Sequence, residues 1–158
     1  MRVRRERREW VGDWLIVAGA VALFVSLFLT WSHQFSPGFL IRFGPASQLA
    51  DVPRDPTGWQ VYSSMDVVLA VLAVALAGVA LAGGRLARLC TLAAAVVGIV
   101  FVAHAVGAPP TNGANIFSPG AGGPAFQASS PAAGVGETVA LVGLGLAVAG
   151  LLVSFTAD

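Results

Sequence analysis

"SSMDVVLAVLAVALAGVALAGGRLARLCTLAAAVVGIVFVAHAVG", residues 63–107, decides the fold. Its two apolar runs, 64–83 and 89–107, each approach the ~20 residues a helix needs to cross a hydrocarbon core. Only "GGRLAR" separates them, so the two helices must be antiparallel neighbours. Gly83 and Gly84 suit a helix end, and Arg85 and Arg88 are expected to anchor the turn among lipid headgroups.

Two further runs, 10–31 and 135–155, have the same character. The chain has 158 residues, 56% hydrophobic and 11% charged, where a soluble domain carries about 25% charged residues. Most of it therefore has no water to face. The expected fold class is an all-α membrane protein, a four-helix transmembrane bundle forming one integral membrane domain over residues 1–158. The basic leader 1–9 followed by an apolar core imitates a signal peptide. That core ends in "TWSHQ" without a small-residue cleavage site, so the segment reads as a retained anchor. Trp14 and Trp31 stand about 25 Å apart along a helix, which places them as interface anchors in two aromatic belts. With a single cysteine, Cys90, no intrachain disulfide can form; Cys90 itself reads as a packing residue.

Orientation follows from arginine placement. With a cytoplasmic N-terminus, seven of the nine basic residues lie inside (Arg2, Arg4, Arg5, Arg7, Arg8, Arg85, Arg88) and two outside (Arg42, Arg54). Four acids fall on each side, giving balances of +3 within and −2 without. Both termini are thus expected in the cytoplasm of a cell-membrane protein. The leader is expected to rest on anionic lipid headgroups. Its arginine run is short and interrupted by glutamates, a poor nucleic-acid site.

The outer loops, 32–63 and 108–134, differ in kind. The first carries charges, prolines and aromatics and is expected to form a small cap. The second has no charge and is rich in Gly, Pro, Ala and Ser, which predicts mobility. "FSPG" occurs in each, at 35–38 and 117–120; four shared residues are weak grounds for a duplication.

Asp66 has two readings. With Ser63 three residues before it, it fits a capping box, in which Ser63 is the helix cap and Asp66 also complements the helix dipole. Alternatively, Asp66 joins His104 and Glu137, which lie at similar depth on the next two spans, in one polar cluster at the outer mouth. Ionisable groups in spans usually face the bundle. Small residues at Gly78 and Ala82, Ala94 and Gly98, and Gly143 and Ala147 suggest helix-packing stripes. Span one, bulkier at Leu23, Phe24, Leu27 and Phe28, is expected to show more of itself to lipid.

"VSLFLTW", "GWQVYSSMDVVLAVLAVALA" and "GRLARL" together resemble a class of small four-transmembrane-helix proteins of high-GC Gram-positive bacteria. The acid at Asp66 after Trp59 and Tyr62 is the most specific element. The likeness covers the spans and not the loops, and Glu137 departs from it. It implies fold and location, with no known activity.

Catalytic and metal signatures, HExxH and paired cysteines among them, are missing from the sequence. No catalytic residue, metal ligand or cofactor is therefore expected. The leading expectation is a non-enzymatic interaction or accessory membrane subunit, whose partners are the lipid bilayer and a second copy or another membrane protein. The alternative is a small transporter or ion-coupled channel using the polar cluster. A membrane-embedded enzyme comes third, for want of a nucleophile with a base.

Overall fold

In a bilayer every backbone N–H and C=O must find its partner within the protein, so long apolar runs become helices. The computed structural model describes residues 2–33, 55–108 and 132–157; both "FSPG" segments lie outside them. In chain order the elements are α1 (Arg2–Ser26), β1 (Ser32–His33), α2 (Gly58–Val61), α3 (Ser63–Ala82), α4 (Arg85–Gly107), β2 (Ala132–Ala133) and α5 (Val135–Ala157). Four of the helices, α1, α3, α4 and α5, are long and apolar enough to cross a membrane.

α1 takes the basic leader into the helix and ends earlier than the apolar run does. Leu27, Phe28 and Leu29 donate their amides three residues back, to Phe24, Val25 and Ser26, at 3.0–3.3 Å. This tightened turn closes the helix and lifts Trp31 off it.

α1 packs along α5 and against α3, while α4 closes the bundle against α5 and more lightly against α3. The order around the bundle is thus α1, α3, α4, α5, with α3 and α5 on opposite corners. The core is contributed by all four: Ile16, Leu23 and Leu27 from α1, Leu69 and Leu76 from α3, Ala95 and Val102 from α4, and Ala140, Leu144, Ala147 and Leu151 from α5.

Glycines set the α1–α5 seam. A Cβ added to Gly12 would lie 3.0 Å from the Gly150 carbonyl oxygen, and one on Gly136 would lie 2.9 Å from that of Ser26. Gly19 and Gly143 oppose each other between those two points. Partners advance by seven residues along α1 as they retreat by seven along α5, so the pair is antiparallel with a heptad repeat. Without side chains in the way, the two backbones touch.

This corrects the expectation for span one. Phe24 and Phe28 do face outward, but Leu23 and Leu27 are fully buried, and Gly12 and Gly19 let α5 approach closely. Of the expected stripes, Gly143 and Ala147 lie in the seam. Gly98 packs against Leu72 and Leu144, but Ala94 is exposed and Ala95 is buried in its place. Gly78 meets nothing and Ala82 is exposed. Cys90 is exposed rather than packed.

Candidate functional site

The start of α3 is prepared one turn upstream. The Thr57 amide donates to Gln60 Oε1 at 3.1 Å, Tyr62 N–H to the Gly58 carbonyl at 2.9 Å, and Asp66 N–H to the Tyr62 carbonyl at 2.9 Å. Tyr62, not Ser63, occupies the cap position. The Asp66 carboxyl makes no hydrogen bond among the described residues, so its half of the expected capping box is not formed. The Ser63 side chain lies outside the described residues. The sequence does carry a capping box, but at Thr57 to Gln60, where threonine is followed three residues later by glutamine.

Asp66 instead continues the core stripe of α3, three residues before Leu69 and seven before Ala73. Glu137 stands in the same relation to Ala140 and Leu144 on α5. Both acids are 0% exposed. They enter the bundle from opposite corners at its loop end, each in the first turn of its helix.

Trp31 covers this end. It is 0% exposed, and its Nε1 donates to the Ser26 carbonyl at 2.7 Å. Its amide donates to the Pro56 carbonyl at 3.0 Å, and its carbonyl accepts from Gly134 N–H at 2.9 Å. β1 pairs antiparallel with β2, Ser32 opposite Ala133 and His33 opposite Ala132, and Thr30 bridges to Thr57. The indole fits because two of its neighbours lack side chains. A Cβ on Gly58 would sit 3.1 Å from Trp31 Nε1 and 3.2 Å from Asp66 Oδ1, and one on Gly136 2.8 Å from Nε1. The Trp31 ring meets Tyr62 edge-on at 6.0 Å, and Tyr62 meets Phe101 at 5.4 Å. Trp31 is therefore a buried cap, not the interface anchor expected from its spacing.

Tyr62 reports on both acids. Its phenol is held above its ordinary pKa by burial first, then by the nearby Glu137 and Asp66 carboxyls. The amides of Tyr62 and Gly134 lie beside Asp66 and Glu137 respectively. Each already donates to a carbonyl, that of Gly58 or Trp31. All four carboxyl oxygens are left without a hydrogen-bond partner among the described residues.

His104, the third expected member, is exposed on α4 and does not share this burial. His33 Nδ1 contacts Asp55 Oδ1 at 2.6 Å near the surface. At the opposite end Arg88 meets Asp13 at 3.5 Å, which ties α4 to α1. Arg85 is exposed. Trp14 is 58% exposed and meets Trp10 edge-on. No group of three or more His, Cys, Asp or Glu among the described residues could hold a metal ion.

Trp31, Tyr62, Gly58 and Gly136 escape a reading of the sequence by spans, because each acts from a connecting segment or a helix's first residues. The stripe register of Asp66 and Glu137 was available as a signal. No family model, curated protein or solved structure matches the chain. It has the makeup of a multi-pass membrane protein with four spans, in contact with lipid.

Proposed function

We propose that the chain is a non-enzymatic subunit of the cell membrane that works by associating with other membrane helices, with both termini in the cytoplasm. What supports this is the dry middle of the bundle. Between the acids at the loop end and Asp13, Thr91 and Ser154 near the other, the inward positions are filled by residues such as Leu76, Ala95, Leu144 and Ala147. A solute crossing one copy would find no polar path there, whereas carriers bind near the midplane. The hollows of the bundle open outward, as between α1 and α3, where Ala20, Val21, Phe24, Ala73, Val74 and Ala77 line a groove. Small residues on such a face admit close helix approach. The arginine split supports the orientation, and the four long apolar helices support the location.

The test is extraction from native membranes in mild detergent, with mass spectrometry of what co-purifies. A stoichiometric partner or second copy that is lost on Ala77→Trp supports the reading. A chain that stays monomeric and alone in every detergent tested overturns it.

A second reading, an ion-coupled transporter, is favoured by one observation: Asp66 and Glu137 both enter the bundle at the same end. Ion flux through reconstituted vesicles that disappears in D66N or E137Q would establish it.

A further inference from the structure

Two side chains at the loop end stand in surroundings that do not suit them. Asp66 and Glu137 are each 0% exposed, and none of their four oxygens has a hydrogen-bond partner among the described residues. Bare carboxylates in such a place are strongly disfavoured. Something positive must accompany them.

The surroundings narrow the choice. From α1 and the segment after it come Ser26, whose hydroxyl donates to the Leu23 carbonyl, and the Trp31 indole, whose N–H is spent on the Ser26 carbonyl. The Tyr62 phenol lies near enough to both acids for their charges to raise its pKa, after burial. α4 presents Phe101, Val102 and Ala105 toward the interior near this level, with His104 exposed. His33 at the rim is engaged by Asp55. Arg7, Arg8, Arg85 and Arg88 all belong to the far end, at the starts of α1 and α4. No arginine among the described residues is within reach to neutralise the acids.

A metal ion suits the site poorly. Calcium takes six to eight oxygens and magnesium six, commonly including waters. Here two carboxyls are offered, and no group of three or more His, Cys, Asp or Glu among the described residues could hold a metal ion. A proton needs no further ligand.

We propose that Asp66 and Glu137 each bind a proton at the bundle end that Trp31 covers. The inference goes beyond the accessory-subunit reading and does not depend on it. Gly58 and Gly136 leave room for the indole beside the acids, and both acids are fully buried, so release of a proton puts charge into a space from which water is excluded. The Trp31 cap, held by its hydrogen bonds to Pro56, Gly134 and Ser26, is the element that must yield when it does.

Infrared difference spectroscopy of the reconstituted full chain across a pH series tests this. The expected result is a carboxylic-acid C=O band that shifts in heavy water, fades as pH rises, and loses a distinct component in D66N and in E137Q. Asn and Gln resemble the neutral acids in shape, so both variants are expected to fold. Should either fail to fold, wild-type protein in vesicles is treated with dicyclohexylcarbodiimide, which attacks protonated carboxyls from the lipid phase. Adducts mapped by mass spectrometry should fall on Asp66 or Glu137 and decline about tenfold per pH unit once the acids ionise. Sodium, potassium, magnesium or calcium at fixed pH should not protect. Absence of both the band component and the adduct overturns the proposal. Protection by one of those cations overturns it equally, in favour of a metal-ion site.

Discussion

The backbones of Gly19 and Gly143 are in contact, each occupying the space a side chain on the other would need. A Cβ on Gly19 would lie 2.6 Å from the Ala147 amide nitrogen, and one on Gly143 2.9 Å from the Gly19 carbonyl oxygen. Gly145, two residues on, meets nothing within 4 Å. Gly143→Val is therefore expected to cost at least the ~1–3 kcal/mol of an overpacked core. Gly145→Ala should be neutral or stabilising, by up to about 1 kcal/mol. Thermal unfolding of the two variants in detergent measures the contrast; equal effects would mean that the seam is not where α1 and α5 meet.

Trp31 should behave as a core residue and Trp14 as a lipid-facing one. Trp31→Phe removes the Nε1 donor and one of the two hydrogen bonds on the Ser26 carbonyl, which keeps the Leu29 amide, at about 0.5–1.5 kcal/mol. Trp31→Ala is expected to cost about 3–5 kcal/mol. In variants retaining one tryptophan, brominated acyl chains should quench Trp14 and spare Trp31. Equal quenching would return Trp31 to the interface.

Tyr62 is the single tyrosine, so its ionisation can be followed by absorbance without interference from another phenol. In the native protein the phenolate should appear only above the ordinary value of 10.0, because burial and the two acids oppose it. The unfolded chain releases this proton first. Above pH ~10 the folded state then binds more protons than the unfolded one, and stability falls as pH rises through this range. D66N and E137Q should each move the midpoint down toward the ordinary value. An unmoved midpoint in both would separate the acids from Tyr62.

The proposed orientation is tested with an impermeant thiol reagent in a background lacking Cys90. Asn115→Cys should be labelled in intact cells, and Arg4→Cys only after the membrane is opened. The reverse pattern would invert every assignment of sides.

Sequence by itself determined the four spans, their antiparallel hairpin around Arg85 and Arg88, and the all-helical class. Length and apolarity suffice for these, since a lipid environment leaves the backbone few alternatives. Which helices touch was not legible in the same way. Glycine and alanine are frequent on every span, and only the folded chain shows that Gly12, Gly19, Gly143 and Gly150 align across one seam while Gly78 faces outward. The same holds at the loop end. A local pattern made Asp66 a partner of Ser63, but the stripe it shares with Leu69 and Ala73 turns it into the core. Helical spacing made Trp31 an anchor, whereas the helix stops at Ser26 and the chain folds back over the bundle. These outcomes rest on contacts between residues such as Trp31, Gly58 and Gly136, far apart in the chain, and such contacts exist only once the helices have packed.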